Sequence, residues 1–111
     1  MDAMLIYRRR VTRRTLKGRE IRLVMDLYEI PEPDKGKYPD GYRFSWIAFD
    51  VELPEKRVLF DCHPPKGPHL HVDGEPEIYF KWVSLEETEE LFFSKIQDRF
   101  GGLVPEDKEE E

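Results

Sequence analysis

The sequence predicts an α+β fold, an antiparallel meander of four to five strands with one C-terminal helix packed on the sheet. Three observations carry this expectation. Apolar residues recur at every second position in several separate stretches, and Pro- and Gly-rich turns divide those stretches. Near the end of the chain the apolar period changes to three and four residues, behind a helix-capping pattern. At 111 residues the chain has room for one domain with a modest core, expected over residues 1–104.

Residues 3–10 and 20–30 read as the first two strands. In the second, Ile21, Leu23, Met25 and Leu27 fall on one side while Arg22 and Asp26 fall on the other, the period of a half-buried strand. Lys17-Gly18 supplies the turn between them, with a glycine available for positive φ. Residues 31–41 hold three prolines and two glycines and read as a surface loop. Tyr42 to Val51 carries apolar residues on both faces and is the expected central strand. After a short hairpin loop with Pro54, Arg57 to His63 places Val58, Phe60 and Cys62 on one face and Leu59, Asp61 and His63 on the other. A turn over Pro64-Pro65-Lys66-Gly67-Pro68 precedes His69-Leu70-His71, and Ile78 to Val83 is expected as a fifth strand or extended arm. Ser84-Leu85-Glu86-Glu87 is a capping-box pattern that starts a helix. Leu85, Thr88, Phe92, Ile96 and Phe100, flanked by Leu91, form its apolar stripe, and Gly101-Gly102 ends it. Residues 105–111 are expected to be an acidic, disordered tail.

The net charge of −6 is unevenly placed. Residues 1–22 hold eight basic side chains against Asp2 and Glu20, whereas residues 84–111 hold ten acidic against three basic. Such a chain can offer a basic face to phosphates although the whole molecule is an anion. The plainer reading of Arg8 to Arg14 is a solvated strand end and turn. Tyr7 is the only aromatic residue interleaved with that run, so a single-strand stacking platform is not indicated. No apolar run is long enough to cross a bilayer and the N-terminus lacks a secretory h-region, so the expectation is a cytoplasmic protein with no membrane contact. The single cysteine cannot form an internal disulfide. Phosphate-loop, dinucleotide, zinc-ribbon and Gly-x-Ser-x-Gly patterns are missing from the sequence, which removes those enzyme classes.

The chemistry-bearing residues gather in residues 60–72, which contain all three histidines and the cysteine. In extended backbone His69 and His71 project to one side, as do Asp61 and His63, and the four converge if the proline turn folds one segment over the other. Three readings compete. His69 and His71 with Asp61 or Cys62 could bind a divalent metal. Alternatively His63 and one of His69 and His71 act as a metal-free acid and base pair, with Arg43 or Lys66 steadying a phosphate charge, since imidazole as a class titrates near neutrality. The third reading pairs Arg43 with Asp61 on a solvated sheet face and leaves the histidines as loop residues. Cys62, alternating with Val58 and Phe60, reads as a small core residue, and Trp46 and Trp82 as packing residues.

The basic and aliphatic first hairpin, Tyr42-Arg-Phe-Ser-Trp-Ile-Ala-Phe49, Arg57-Val-Leu-Phe-Asp-Cys-His63, the His-Leu-His pair and the capped helix together resemble the TumE family of small prokaryotic proteins. The resemblance spans most of residues 4–98. It implies a toxin component of a toxin–antitoxin pair, encoded beside a helix-turn-helix antitoxin; RNA or another phosphate-bearing target is the expectation drawn from the histidine stretch and not from the resemblance. Residue by residue it points to Arg43, Asp61, His63, His69 and His71. Cys62 departs from the pattern, where a small polar residue is expected, and so does the Pro-Pro-Lys-Gly-Pro spacer between histidines that the family holds closer. The rival expectation is a non-enzymatic protein-interaction module, and homo-oligomers are compatible with either reading.

Overall fold

A strand that alternates apolar and polar residues is stable only where its apolar side is covered, and that requirement organises this chain. The computed structural model describes residues 2–105. Six strands form one antiparallel sheet in sequence order: β1 (Met4–Arg14), β2 (Glu20–Glu29), β3 (Tyr42–Asp50), β4 (Arg57–His63), β5 (Lys66–Val72) and β6 (Ile78–Tyr79). The helix α1 (Leu85–Phe100) follows and packs on one face. The residues expected for a disordered acidic tail lie, beyond Pro105, outside the described residues.

The covered face is built in cross-strand rows. Met25 of β2 lies opposite Trp46 of β3, which lies opposite Phe60 of β4, which lies opposite Leu70 of β5. All four are buried, together with Ile21, Leu23, Leu27, Phe44, Ala48, Val58 and Cys62. Each large apolar side chain in such a row contributes about 1.5–3 kcal/mol by leaving water. The helix supplies the lid. The Ser84 side chain accepts from the Glu87 amide at 3.1 Å, and the apolar period then buries Thr88, Phe92 and Ile96 against the rows. Gly101 ends it at φ +83°, a conformation that glycine adopts without a Cβ penalty.

Two elements differ from expectation. β1 runs to Arg14 rather than stopping near Arg10. As an edge strand it has one partner and is exposed along both sides, so burial imposes no alternation on its arginines. The sheet also has one strand more than the four to five expected, because Lys66–Val72 is itself a strand. Pro68 argues against one, since proline cannot donate to the ladder. Here the β4–β5 register shifts between Asp61 and His63, so Gly67 and Pro68 face Cys62 in a bulge, where the ladder is already interrupted.

The face turned away from the helix carries the alternate residues. One row runs Arg8, Asp26, Ser45, Asp61, His69, Tyr79 across all six strands. The next runs Arg10, Val24, Ile47, Leu59, His71, and beyond it Thr12, Arg22, Phe49, Arg57. The candidate site lies at one corner of this face.

Candidate functional site at the β4–β6 corner

The site is assembled by the tight return of the chain at Pro64-Pro65, which brings β5 back along β4. His69 comes opposite Asp61 and His71 opposite Leu59, while β6 adds Tyr79 opposite His69. The expected convergence of Asp61, His63, His69 and His71 is therefore observed. The ring centroids of His63 and His69 are 6.2 Å apart, those of His69 and His71 are 5.6 Å apart, and Tyr79 stands 5.6 Å from His69 on the other side. The three imidazoles differ in access to solvent. The side chain of His63 is 53 % exposed and that of His71 28 %, whereas that of His69 is 3 % exposed.

Hydrogen bonds fix how the inner two rings face. His69 Nδ1 lies 2.9 Å from the Gly67 carbonyl, and His71 Nδ1 lies 3.3 Å from the Glu75 carbonyl. A carbonyl only accepts, so Nδ1 is the protonated nitrogen in each ring and the Nε2 lone pair faces away from it. Both Nε2 atoms turn toward Glu77 Oε1, at 4.0 Å from His69 and 3.6 Å from His71. The three ligand atoms lie within 4.8 Å of one another, so this group can hold a metal ion. Two imidazole nitrogens and a carboxylate suit zinc or a neighbouring transition ion.

Two lone pairs and a carboxylate oxygen aimed at one place call for a cation, and the chain brings one. Lys66 Nζ donates to Glu77 Oε1 at 2.9 Å, and the Tyr79 hydroxyl donates to Oε2 at 2.7 Å. The Tyr79 bond first, and then Lys66, hold the Glu77 carboxyl down at about 2, so it is a carboxylate near neutral pH. Reciprocally, Glu77 raises the Lys66 ammonium and the Tyr79 hydroxyl above their ordinary values. A metal ion at this position competes with the Lys66 ammonium.

The sequence-predicted residues sort as follows. Asp61 is not in the metal-type group: its Oδ1 accepts from the Cys62 amide at 2.9 Å and its Oδ2 lies 3.4 Å from His63 Nδ1. The carboxylate that joins His69 and His71 is Glu77, which the sequence reading missed because it sits in a short arm after the Asp73-Gly74 turn. Arg43 shares the face, but its guanidinium stacks on the Tyr28 ring at 4.6 Å, toward β2 and away from Asp61 and His63. The expected Arg43–Asp61 approach is not among the contacts of the described residues. Cys62 is buried, and burial, followed by the Asp61 charge, pushes its thiol up to about 11, which fits a core residue and not a nucleophile. Surface clefts lie elsewhere, among them one between Phe80–Val83 and the helix and one beside Ile30 and Pro31.

No helix among the described residues is long and apolar enough to cross a membrane. No protein-family model, curated protein or solved structure matches the chain. The functional reading accordingly rests on the residues of the chain and the face they form.

Proposed function

We propose that this protein is the toxin component of a toxin–antitoxin pair, acting on RNA or another phosphate-bearing target at the β4–β6 corner and neutralised by a helix-turn-helix partner. The toxin and partner assignments follow the sequence resemblance to the TumE family. The observation that supports a phosphate-directed reaction is the gathering of all three histidines with Asp61, Glu77 and Lys66 at the edge of an arginine-bearing face. Exposure suggests how the roles divide. His63, the most exposed and backed by Asp61 at 3.4 Å, is placed to take a proton from an attacking hydroxyl, and His71 to return one to the leaving oxygen. His69 is too buried to meet a substrate and acts as a positioning residue between them. Lys66 supplies positive charge where phosphate charge develops. If the site takes a divalent ion, His69, His71 and Glu77 would hold it, and the ion would act as a Lewis acid on a phosphoryl oxygen.

A non-enzymatic interaction module is the second reading, and β1 favours it. This edge strand leaves Met4, Leu5 and Ile6 exposed at the start of an unpaired ladder, a surface on which another strand can add. Controlled expression in a bacterial host separates the two readings, with growth and total RNA followed in parallel. The proposed function expects growth arrest with RNA cleavage, relief by the partner protein, and a bell-shaped pH dependence of cleavage, since one imidazole must be neutral and one protonated. His63→Ala and His71→Ala should each lower turnover roughly a hundredfold or more. A folded triple histidine variant as toxic as the parent would remove the corner from the mechanism.

A further inference from the structure

We infer that the face of the sheet turned away from the helix is a platform for single-stranded RNA, which lies across β2 to β4 and presents its backbone to the histidine corner. This deepens the reading proposed above by naming the substrate class, and it rests on that reading only for delivery to the corner. The first observation is charge. Acidic residues outnumber basic ones 24 to 18 in this chain, yet Arg22, Arg43 and Arg57 on this face form no ion pair with a carboxylate among the described residues. Among the described residues the Arg22 side chain donates to the Thr12 hydroxyl at 3.0 Å, and Arg43 stacks on Tyr28. Arg8 and Arg10 converge on a single Asp26 oxygen, at 3.1 and 3.0 Å, and so leave surplus positive charge beside it. In a molecule with carboxylates to spare, arginines left without them on one face are complementary to an anion.

The second observation is where aromatic rings fall. Tyr7 is the only aromatic residue within the basic run of the sequence, but pairing across strands interleaves rings with arginines. Phe49 is half-buried on β3 between Arg22 of β2 and Arg57 of β4, and Tyr28 on β2 lies opposite Arg43 of β3. A sheet face on which rings alternate with arginines can stack unpaired bases, which a duplex keeps inside its own stack. Val24, Ile47 and Leu59 form an apolar floor between the two aromatic positions. Phe49 and Tyr28 are separated by about 20 Å along the strands, the span of several nucleotides. A second copy of this chain does not suit the face, since it would bring arginines against arginines.

The test is fluorescence anisotropy of the full chain with a labelled mixed-sequence single-stranded RNA of about 12 nucleotides, alongside the same RNA annealed to its complement. The single strand should bind with a dissociation constant in about the micromolar range and more tightly than the duplex. With three phosphate contacts the affinity should fall about twentyfold between about 50 and 200 mM salt. Phe49→Ala should weaken binding about tenfold or more. Arg22→Gln with Arg57→Gln, which touches no core residue, should weaken binding and lower the salt slope by about 1.4, and this pair decides the matter if Phe49→Ala does not fold. Absence of single-strand binding at about 100 µM protein, equal or tighter duplex binding, or an arginine pair without effect would each overturn the platform. So would a dimer in sedimentation that buries this face. Binding retained by a parent that cleaves nothing would refute the catalytic reading while supporting the platform.

Discussion

Truncating Phe92 to alanine tests whether the helix is the lid of the sheet. Phe92 is fully buried, with its ring 5.1 Å from that of Phe60 in an edge-on arrangement, 5.4 Å from that of Trp46 and 5.5 Å from that of Phe93. Losing the burial of a phenylalanine side chain costs about 1.5–3 kcal/mol. The cavity left among rigid rings adds to that, and such truncations total about 3–5 kcal/mol. Edge-on and tilted pairs contribute about 0.5–1.5 kcal/mol beyond their area, which places this site in the upper part of the range. Alanine returns some helix propensity, roughly half a kcal/mol. The expected loss is therefore about 4 kcal/mol, a large share of the 5–15 kcal/mol typical of a small domain. Urea denaturation followed by tryptophan fluorescence should show the midpoint falling with little change of slope. A loss below about 1 kcal/mol would mean that the helix does not depend on this contact for docking, and the packing argument would fail.

Asp50 is nearly buried and accepts two bonds from Arg19 and the amides of Glu52 and Leu53. The Arg19 bonds, helped by the two amides, hold its carboxyl below the ordinary aspartate value, so its contribution to stability is present above about pH 4 and lost as pH falls through the lowered value. Asp50→Asn should cost about 1–3 kcal/mol at neutral pH, and the gap to the parent should close in acid; a gap independent of pH would refute the pairing. If His69, His71 and Glu77 hold a metal, purified protein should carry it near stoichiometrically by elemental analysis and lose melting temperature on chelation. Lys66→Met should tighten that binding by removing the competing ammonium. Equal affinity in parent and Lys66→Met would show that the ammonium does not contest the position. Arg43→Ala should weaken RNA binding through the Tyr28 stack and leave cleavage of bound RNA unchanged; a fall in single-turnover rate at saturating protein would return Arg43 to the reaction centre.

How much of this was legible in sequence depended on how each residue is constrained. The alternation of Ile21, Leu23, Met25 and Leu27, and the stripe of Thr88, Phe92 and Ile96, are imposed by burial against a neighbour, and both were read correctly. β1 escaped at its far end because an edge strand exposed on both sides carries no alternation. β5 escaped because its proline lies in a bulge, which a local reading cannot foresee. The corner was legible as far as Asp61, His63, His69 and His71, all within eleven residues of one another. Glu77 and Tyr79 were not, since they enter through the pairing of β6 with β5, a relation between segments. The same holds for the aromatic interleaving on the open face, where Arg22, Phe49 and Arg57 are far apart in the chain and adjacent only by register.

The chain beyond the helix returns to the far end of the first hairpin. The Leu16 amide donates to the Gly102 carbonyl at 2.9 Å, the Val104 amide donates to the Arg14 carbonyl at 2.8 Å, and Leu103 bridges to the buried Thr15. A Cβ at position 102 would stand 2.9 Å from a methyl of the exposed Leu16 side chain, which can swing aside. This clasp acts as a cross-brace. It connects the tip of the β1–β2 hairpin, otherwise the part of the sheet free to fray, to the end of the helix that covers β3 and β4. Opening the tip therefore requires releasing the helix terminus, and amide exchange at Leu16 and Val104 should slow together with that of the last helical turn, as one cooperative unit. The brace stands at the opposite end of β2 from Tyr28, at the end where Phe49 lies opposite Arg22, so it stiffens the sheet beneath that end of the open face.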